Sequence, residues 1–432
     1  MKILHYTLGF PPKRSGGLVR YAQDVIEEEA NEGHDVSVLY PGKVTVFNKE
    51  MRIQTKDATH KINMYELINS LPLAIFGGIK DPKDFMDSSS SQIFEDFFKS
   101  IKPDVIHVHT LMGMPKEFFE TANKMKITIV YTTHDYYGLA PNPTFFTNGR
   151  SYDRDNSNYF WNEASKDALS TNKLRIFQLP IYPIIRTIFK KLKFTRKMTT
   201  NKDNKVKNDG LDYEAKVESK KYDAIRKYYK AIFLLIDKFH FNSSIAKEVY
   251  EFNLPEIKEK SSEIISITNS NIIVHNKINN TRNRKIKIAY IGPNKEFKGI
   301  DFFLKLSQSM DKKKYEFHTY GYVPRNYIKD VVQHGRYAGS ELANIYKNID
   351  VLVVPSKWKE TFGFIVLEAM ANQTKVYVSD NVGAKDLLSD DAIFRSMESL
   401  KNSIENTKDF DEKYCVKTID EHIKELLQFY KK

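Results

Sequence analysis

Apolar residues fall along the chain in short runs separated by helical patterns. The N-terminal part carries such runs at 2–8 (KILHYTL), 35–40 (DVSVLY), 104–110 (DVIHVHT), 128–134 (TIVYTTH) and 264–269 (IISITN). A polar stretch at 275–285 (HNKINNTRNRK) interrupts the series, which restarts at 286–292 (IKIAYIG), 315–321 (YEFHTYG), 350–356 (DVLVVPS) and 375–380 (KVYVSD). Runs rich in Val, Ile and Tyr and bounded by turn residues suit strands buried on both faces, as in a parallel sheet. Between them lie helical candidates such as 18–34 (LVRYAQDVIEEEANEGH), closing at Gly33, and 340–349 (SELANIYKNI). The alternation predicts doubly wound α/β architecture.

The restart predicts two domains, 1–278 and 286–411, joined by the polar stretch. Residues 153–230 interrupt the first strand series and read as an insertion of helices and loop. Residues 412–432 read as a terminal helix whose apolar face is Ile423, Leu426, Leu427 and Tyr430, packing back on the first domain.

Composition narrows this picture. The chain has 432 residues, 41% hydrophobic and 28% charged, which is globular and long enough for two cores. One cysteine, Cys415, excludes an internal disulfide and multi-cysteine zinc sites, and points to a reducing cytoplasm. The N-terminus lacks the apolar core of a signal peptide. The most apolar window, 174–189, is broken by Arg175, Pro180, Pro183 and Arg186, so no membrane-spanning helix is expected. The formal charge of +12 is concentrated: residues 186–230 hold 15 Lys and Arg against 6 Asp and Glu, a net of +9. That segment reads either as a solvated insertion or, with the apolar window, as a surface (174–230) for anionic lipid headgroups. No nucleic-acid recognition motif accompanies it.

In open α/β sheets ligands bind beyond the carboxyl ends of the strands, and several unusual residues stand there. Gly16 and Gly17 open a helix after the first strand, where backbone can approach an anionic ligand or merely make a strand-to-helix turn. His134 follows 128–134 and suits a ligand hydroxyl or phosphate oxygen, or a structural role capped by Asp135. Gly292 ends another strand, and Lys298 precedes a helix beginning near Gly299, placed to neutralise a diphosphate. Glu360 stands before Thr361, Phe362, Gly363 and Phe364, read as the first helical turn, and Glu368 lies about two turns further in. Two carboxylates invite a glycosidase reading, but this spacing sets them farther apart than the ~5 Å of a retaining pair. His107 and His109 resemble a metal pair without a third ligand of fitting spacing, and Asp153-Arg154-Asp155 copies an Asp-x-Asp metal motif outside any strand-end context.

In order, 1–25 (MKILHYTLGFPPKRSGGLVRYAQDV), EGHDVSVLY, KPDVIHVHT, YTTHDYYGLAP, FHFNSSIAKEV, IAYIGPNKEFKGIDFFL, NIDVLVVPSKWKETFGFIVLEAMA and VYVSDNVGAKDLL resemble glycosyltransferase family 4 over nearly the whole chain. Glu360 and Glu368 match that family's Glu-x7-Glu signature. The resemblance implies a GT-B fold, two Rossmann-like domains facing across a cleft, and retaining transfer of a hexosyl group from a nucleotide diphosphate sugar, a UDP-sugar foremost, without a metal cofactor. It implies that Glu360 contacts the donor sugar, Phe362–Phe364 amides support sugar and diphosphate, and Glu368 accepts from the ribose. Lys298 would balance the diphosphate, His134 would bind the sugar from the opposing domain, and Gly16-Gly17 would approach the diphosphate and acceptor.

The chain departs from the family pattern at Pro293, where an arginine is common, at Gln373-Thr374-Lys375, and at Gly383-Ala384 in place of a glycine pair. The implied acceptor is a glycan or lipid-linked oligosaccharide at the cytoplasmic face of a bacterial membrane, as in capsule or exopolysaccharide assembly. A non-catalytic glycan- or partner-binding subunit and a nucleotide-sugar epimerase of the same fold are the alternatives.

Overall fold

The computed structural model describes residues 1–45, 48–59, 61–75, 77–179, 219–275, 284–407 and 413–432. Most of the basic segment 186–230, residues 180–189 of the apolar window, and the linker core 276–283 lie outside these residues.

The first sheet is built on β1 (Lys2–Tyr6), β2 (Asp35–Pro41), β3 (Arg52–Thr59), β4 (Ile62–Ile68), β5 (Val105–Val108) and β6 (Thr128–Thr132). A small ribbon, β7 (Phe146–Thr147) with β8 (Arg150–Ser151), stands apart; β9 (Lys238–Phe241) and β10 (Ser261–Ile264) complete the sheet. Its order among the described residues is β10-β9-β6-β5-β1-β2-β4-β3, parallel except for β3. The second sheet, β11 (Ile286–Ile291), β12 (Tyr315–Tyr320), β13 (Val331–Gly335), β14 (Val351–Val354), β15 (Lys375–Ser379) and β16 (Ile393–Phe394), is parallel in the order β13-β12-β11-β14-β15-β16. Two Rossmann-like sheets in one chain give the two-domain GT-B architecture expected.

The central strands are buried along their whole length, as β5, β14 and β15 are, because helices cover both faces. The strands end earlier than the apolar runs: β1 stops at Tyr6 and β6 at Thr132, and the residues beyond turn towards the ligand edge. The run at 264–269 is not a strand; β10 occupies Ser261–Ile264, and the apolar Ile265 and Ile267 are buried in loop packing instead. The hairpin β3–β4 and the strand β13 carry polar or exposed positions characteristic of an edge, so no apolar run marks them. The 340–349 stretch divides into a short Gly339–Glu341 turn and a Leu342–Lys347 helix.

Around the strands, part of the 153–230 region belongs to the first core: Phe160, Trp161, Leu174 and Tyr222 are all buried with the β1–β6 side chains. A second apolar cluster spans the whole molecule. It joins Ile3, Tyr21 and Val130 of the first sheet region to Phe362, Val366 and Leu367 of the second, and to Ile423, Leu426 and Phe429 of the last helix.

That last helix, Ile419–Lys431, starts with a reciprocal cap. Thr418 Oγ1 accepts from the Glu421 amide, and the Thr418 amide donates to Glu421 Oε2 at 2.8 Å. At its other end Lys238 Nζ donates to the Tyr430 carbonyl at 2.8 Å, a cation where the helix dipole is negative. The buried face is His422, Ile423, Leu426, Phe429 and Tyr430, and it lies on the Gly17–Asn31 helix through Tyr21 Oη to His422 Nε2 at 2.8 Å. The apolar face is therefore rotated from the sequence pattern, with Phe429 in place of the partly buried Leu427.

Phe429→Ala is expected to cost about 3–5 kcal/mol, the range for emptying a fully buried aromatic site. Leu427→Ala should cost well under half as much. Urea unfolding followed by circular dichroism checks both, and equal losses would contradict the assigned helix face.

Candidate active site

The carboxyl ends of β11, β14 and β15 meet those of β1, β6 and β9, and this junction gathers the chemically distinctive residues. Glu360 is held first by its backbone: its amide donates to the Asn381 carbonyl at 2.8 Å and its carbonyl accepts from Gly383 at 2.9 Å. The side chain is then engaged on both oxygens. Lys298 Nζ donates to Oε1 at 2.5 Å, and the Ser356 hydroxyl donates to Oε2. Lys298 can reach because Gly299 adopts φ 74°, where a Cβ would sit 1.8 Å from the Pro355 carbonyl oxygen. Its ammonium also lies 5.5 Å from the centre of the Trp358 ring.

The helix expected from Thr361 begins at Phe364, because Gly363 takes a left-handed φ of 103° and breaks the turn. Thr361 and Phe362 are instead buried in the approach to it. Thr361 fastens the two domains: its hydroxyl donates to the His134 carbonyl at 2.7 Å, and its carbonyl accepts from Ser243 Oγ at 2.5 Å. Asp386 adds a second fastening, accepting from the Ser244 amide and hydroxyl at 2.6 Å each. Phe364 packs across the junction on Gly17, where even a Cβ would come within 3.1 Å of the ring. Among the described residues none accepts from the amides of Gly363 and Phe364, which leaves donors at the helix mouth.

Glu368 lies further along this helix, half-buried, with Tyr346 Oη donating to Oε2 at 3.3 Å. Burial pushes its carboxyl up to about 7, against a partial lowering by the tyrosine bond. The two glutamates thus face different partners, one a lysine and a serine, the other a tyrosine. Gly292 closes β11 with its amide on the Tyr320 carbonyl at 3.0 Å. Pro293 follows, and its carbonyl accepts from Tyr290 Oη at 2.8 Å. Proline here offers no amide, so cationic and backbone donors to a ligand are both fewer at this turn.

On the first domain Gly16 holds φ 127°, a conformation that favours glycine, with open space where a Cβ would stand. His134 follows β6. Its Nε2 lies 3.3 Å from His109 Nδ1, and Tyr21 meets its ring edge-on at 4.8 Å between centroids. Burial among other histidines drives its pKa down to about 3, so the ring is neutral near pH 7.

The third imidazole that the His107–His109 spacing lacked is His5, brought alongside by β1. The three rings converge, yet their nitrogens already bond to one another, to Glu29, Thr132, Tyr430 and His134. Asp153 accepts from Ser151 and Asp155 pairs with Arg150 at 2.9 Å, both within the turn that carries them.

Sequence reasoning missed Ser356, Trp358, Tyr346, Ser243 and Asp386. It also missed Asn242, buried after β9 with neither amide atom paired among the described residues. Position just after a strand was the one signal available for Ser356, Asn242 and Ser243.

Comparisons with known proteins agree with this geometry. The sequence model described as Glycosyltransferase Family 4 matches residues 15–169, and that described as Glycosyl transferases group 1 matches 285–407. A Klebsiella pneumoniae relative, "Uncharacterized 42.6 kDa protein in cps region", is 24% identical over 88% of this chain and 85% of its own. Among solved structures, a glycosyltransferase from Rickettsia africae superposes with a TM-score of 0.54 at 12% identity, covering 100% of this chain and 97% of its own. An alpha,alpha-trehalose-phosphate synthase (UDP-forming) from Burkholderia xenovorans gives 0.53 at 9% identity, covering 99% of each. Glycosyltransferase sequence models thus match each of the two domains, Glycosyltransferase Family 4 the first and Glycosyl transferases group 1 the second, and the two-sheet architecture of the whole chain is that of the GT-B fold.

Proposed function

We propose that the chain is a retaining hexosyltransferase that takes a nucleotide diphosphate sugar, UDP-linked in the first instance, and extends a glycan or lipid-linked oligosaccharide. The observation that carries this is the Lys298–Glu360 pair at a helix mouth, with His134 fastened opposite it through Thr361. Lys298 supplies a point charge for a departing diphosphate, and the Gly363 and Phe364 amides add donors on the same side. Glu360 has both oxygens engaged, which suits orienting a sugar and not attacking its anomeric carbon. In that course the anomeric C–O bond breaks, its electron pair leaves on the diphosphate, and the acceptor hydroxyl attacks from the same face. Its proton passes to a phosphate oxygen, so no protein nucleophile and no metal takes part.

The cps-region relative supports a role in capsular polysaccharide assembly. Among the described residues no helix is long and apolar enough to cross a membrane. A lipid-linked acceptor would be met at the inner membrane face through the +9 segment 186–230. Vesicles containing anionic lipid should bind the full chain less tightly as salt rises. They should release a variant lacking 186–218, which spares the core residue Tyr222, and unchanged binding by that variant would sink the membrane reading.

The two glutamates should fail differently. Glu360→Gln is expected to lower kcat about 100-fold with donor KM little changed, as for loss of an electrostatic contact at the reacting centre. Glu368→Gln should weaken nucleoside diphosphate binding about tenfold, the scale of one hydrogen bond to a charged group. Steady-state kinetics with product analysis separates these, and equal kcat losses at unchanged donor affinity would restore an acid/base pair. A released, altered sugar without a new glycosidic bond would instead identify an epimerase, and no turnover with any donor a binding subunit.

Glu368 also makes a stability prediction. Its folded pKa of about 7 is above the ordinary 4.5, so the folded state binds the proton more tightly. That contribution is complete below about pH 4.5 and is lost as pH rises through about 7. Glu368→Gln should therefore be more stable than the parent at pH 8, by about 1–2 kcal/mol after allowing for its partial exposure, and no more stable near pH 4. Thermal melts at the two pH values read the difference.

A further inference from the structure

A buried chain of hydrogen bonds runs inward from His134. His134 Nε2 meets His109 Nδ1 at 3.3 Å, His109 Nε2 meets His5 Nδ1 at 3.1 Å, and His5 Nε2 meets Glu29 Oε2 at 2.7 Å. The second oxygen of Glu29 accepts from Tyr430 Oη at 2.9 Å, a group delivered by the last helix. His5, His109 and Glu29 have essentially no exposure, so no solvent can exchange for these partners. Among the described residues only His109 bonds to the His134 ring, at Nε2, and His134 Nδ1 has no protein partner.

We propose that Glu29 is a positioning residue that fixes the tautomer of His134, and with it the kind of ligand atom His134 accepts. A carboxylate only accepts, so His5 directs a proton at it from Nε2, and with one proton per ring its Nδ1 is bare. His109 then donates from Nε2 to that bare nitrogen, and its own Nδ1 receives the proton of His134 Nε2. Rings holding one proton each pass the choice outward one after another, and His134 presents Nδ1 as a lone pair. A lone pair accepts from a hydroxyl and repels a phosphate oxygen. Resting on the donor-site reading above, the chain makes His134 specific for a sugar hydroxyl and excludes it from diphosphate binding.

The opposite polarity would require both nitrogens of His5 to carry protons. That would place a cation against the His107 and His109 rings, whose centroids are each 5.3 Å away. Two substitutions at the same position separate the cases. Glu29→Gln keeps an oxygen that accepts from His5 and adds an amide, so it preserves the neutral chain. It would abolish an imidazolium–carboxylate pair. Glu29→Leu removes the acceptor altogether.

The test is 15N–1H correlation of the histidine rings in the full chain, with His134 assigned by loss of its signals in His134→Ala. The expected result is a proton on Nε2 and a bare Nδ1 in the parent and in Glu29→Gln. A proton on His134 Nδ1 in the parent, or a tautomer that flips in Glu29→Gln, overturns the proposal. So does one equivalent of zinc retained by the purified chain and lost in His107→Ala, since a metal would occupy the same nitrogens. Kinetically, Glu29→Leu should raise the donor-sugar KM about tenfold, the loss of one oriented hydrogen bond, while the free nucleoside diphosphate binds as before. Glu29→Gln should restore the donor KM. The spectra read the tautomer without turnover, so absence of transferase activity would count against the proposed reaction and leave the tautomer result standing.

Discussion

The segment from Glu360 to Gly363 is the constraint on which the site depends. It is tied to its own domain by backbone bonds to Asn381 and Gly383, and to the other domain through Thr361. Gly383 has no room for a side chain: a Cβ there would stand 2.1 Å from the Thr361 carbonyl oxygen. Four residues therefore transmit position in both directions. Whatever holds the two domains together also sets how far His134 stands from the Lys298–Glu360 pair, because Thr361 bonds to the backbone of His134 itself. Without this linkage His134 and the Lys298–Glu360 pair would stand on bodies free to move apart. The hydroxyl of Thr361, Asp386 against Ser244, and the last helix, which crosses from the second domain to the first, all join them.

The architecture was legible wherever physics makes the pattern monotonous. A strand buried on both faces must be apolar along most of its length, and β5, β6, β11, β14 and β15 announced themselves in that way. Edge strands obey no such rule. Arg52–Thr59 is mostly exposed, and Val331–Gly335 fully buries only Val331, so neither stood out. Candidate site positions were legible for a related reason: Glu360, Lys298 and His134 follow strands closely, where little else demands a charge. Helix starts were less so. Gly363 was read as a close contact within a helical turn, whereas its left-handed backbone ends the approach and delays the helix to Phe364. The residue type permits both, and only the neighbour it meets decides. Val382, with its methyl 3.1 Å from where a Cβ would be, belongs to a loop that sequence order alone does not place there.

What the sequence could not supply is any relation spanning the two halves. His5, Glu29, His109 and Tyr430 are separated by up to several hundred positions, yet they make one hydrogen-bonded unit. Each alone looks ordinary: a histidine within a strand, a glutamate in a helix of acidic residues, a tyrosine near the end of the chain. Glu29 is the clearest instance. Three consecutive glutamates, Glu27 to Glu29, stand on one helix, but the third points inward and is fully buried. Helical periodicity places it one residue before the buried Ala30 and three after the buried Ile26, which in retrospect is the only local hint.

The buried histidines bear on the charge of the His134 side of the junction. His107, His109, His134, His240 and His422 all have pKa values driven down by burial, so these rings are neutral near pH 7, His134 at the junction among them. On the second domain Lys298 offers a cation, and on the first Lys13 and Arg14 stand in the loop before Gly16. In the proposed reaction a neutral His134 would suit a sugar hydroxyl, whereas a diphosphate would need a cation such as the Lys298 ammonium. Pro293 brings no cation to its turn, and the present partner of Lys298 is Glu360 at 2.5 Å. In the proposed reaction a diphosphate arriving at Lys298 would compete with Glu360 for its protons. That competition would free a carboxylate oxygen beside the sugar at the moment the phosphate is bound, coupling recognition of one half of the donor to the other.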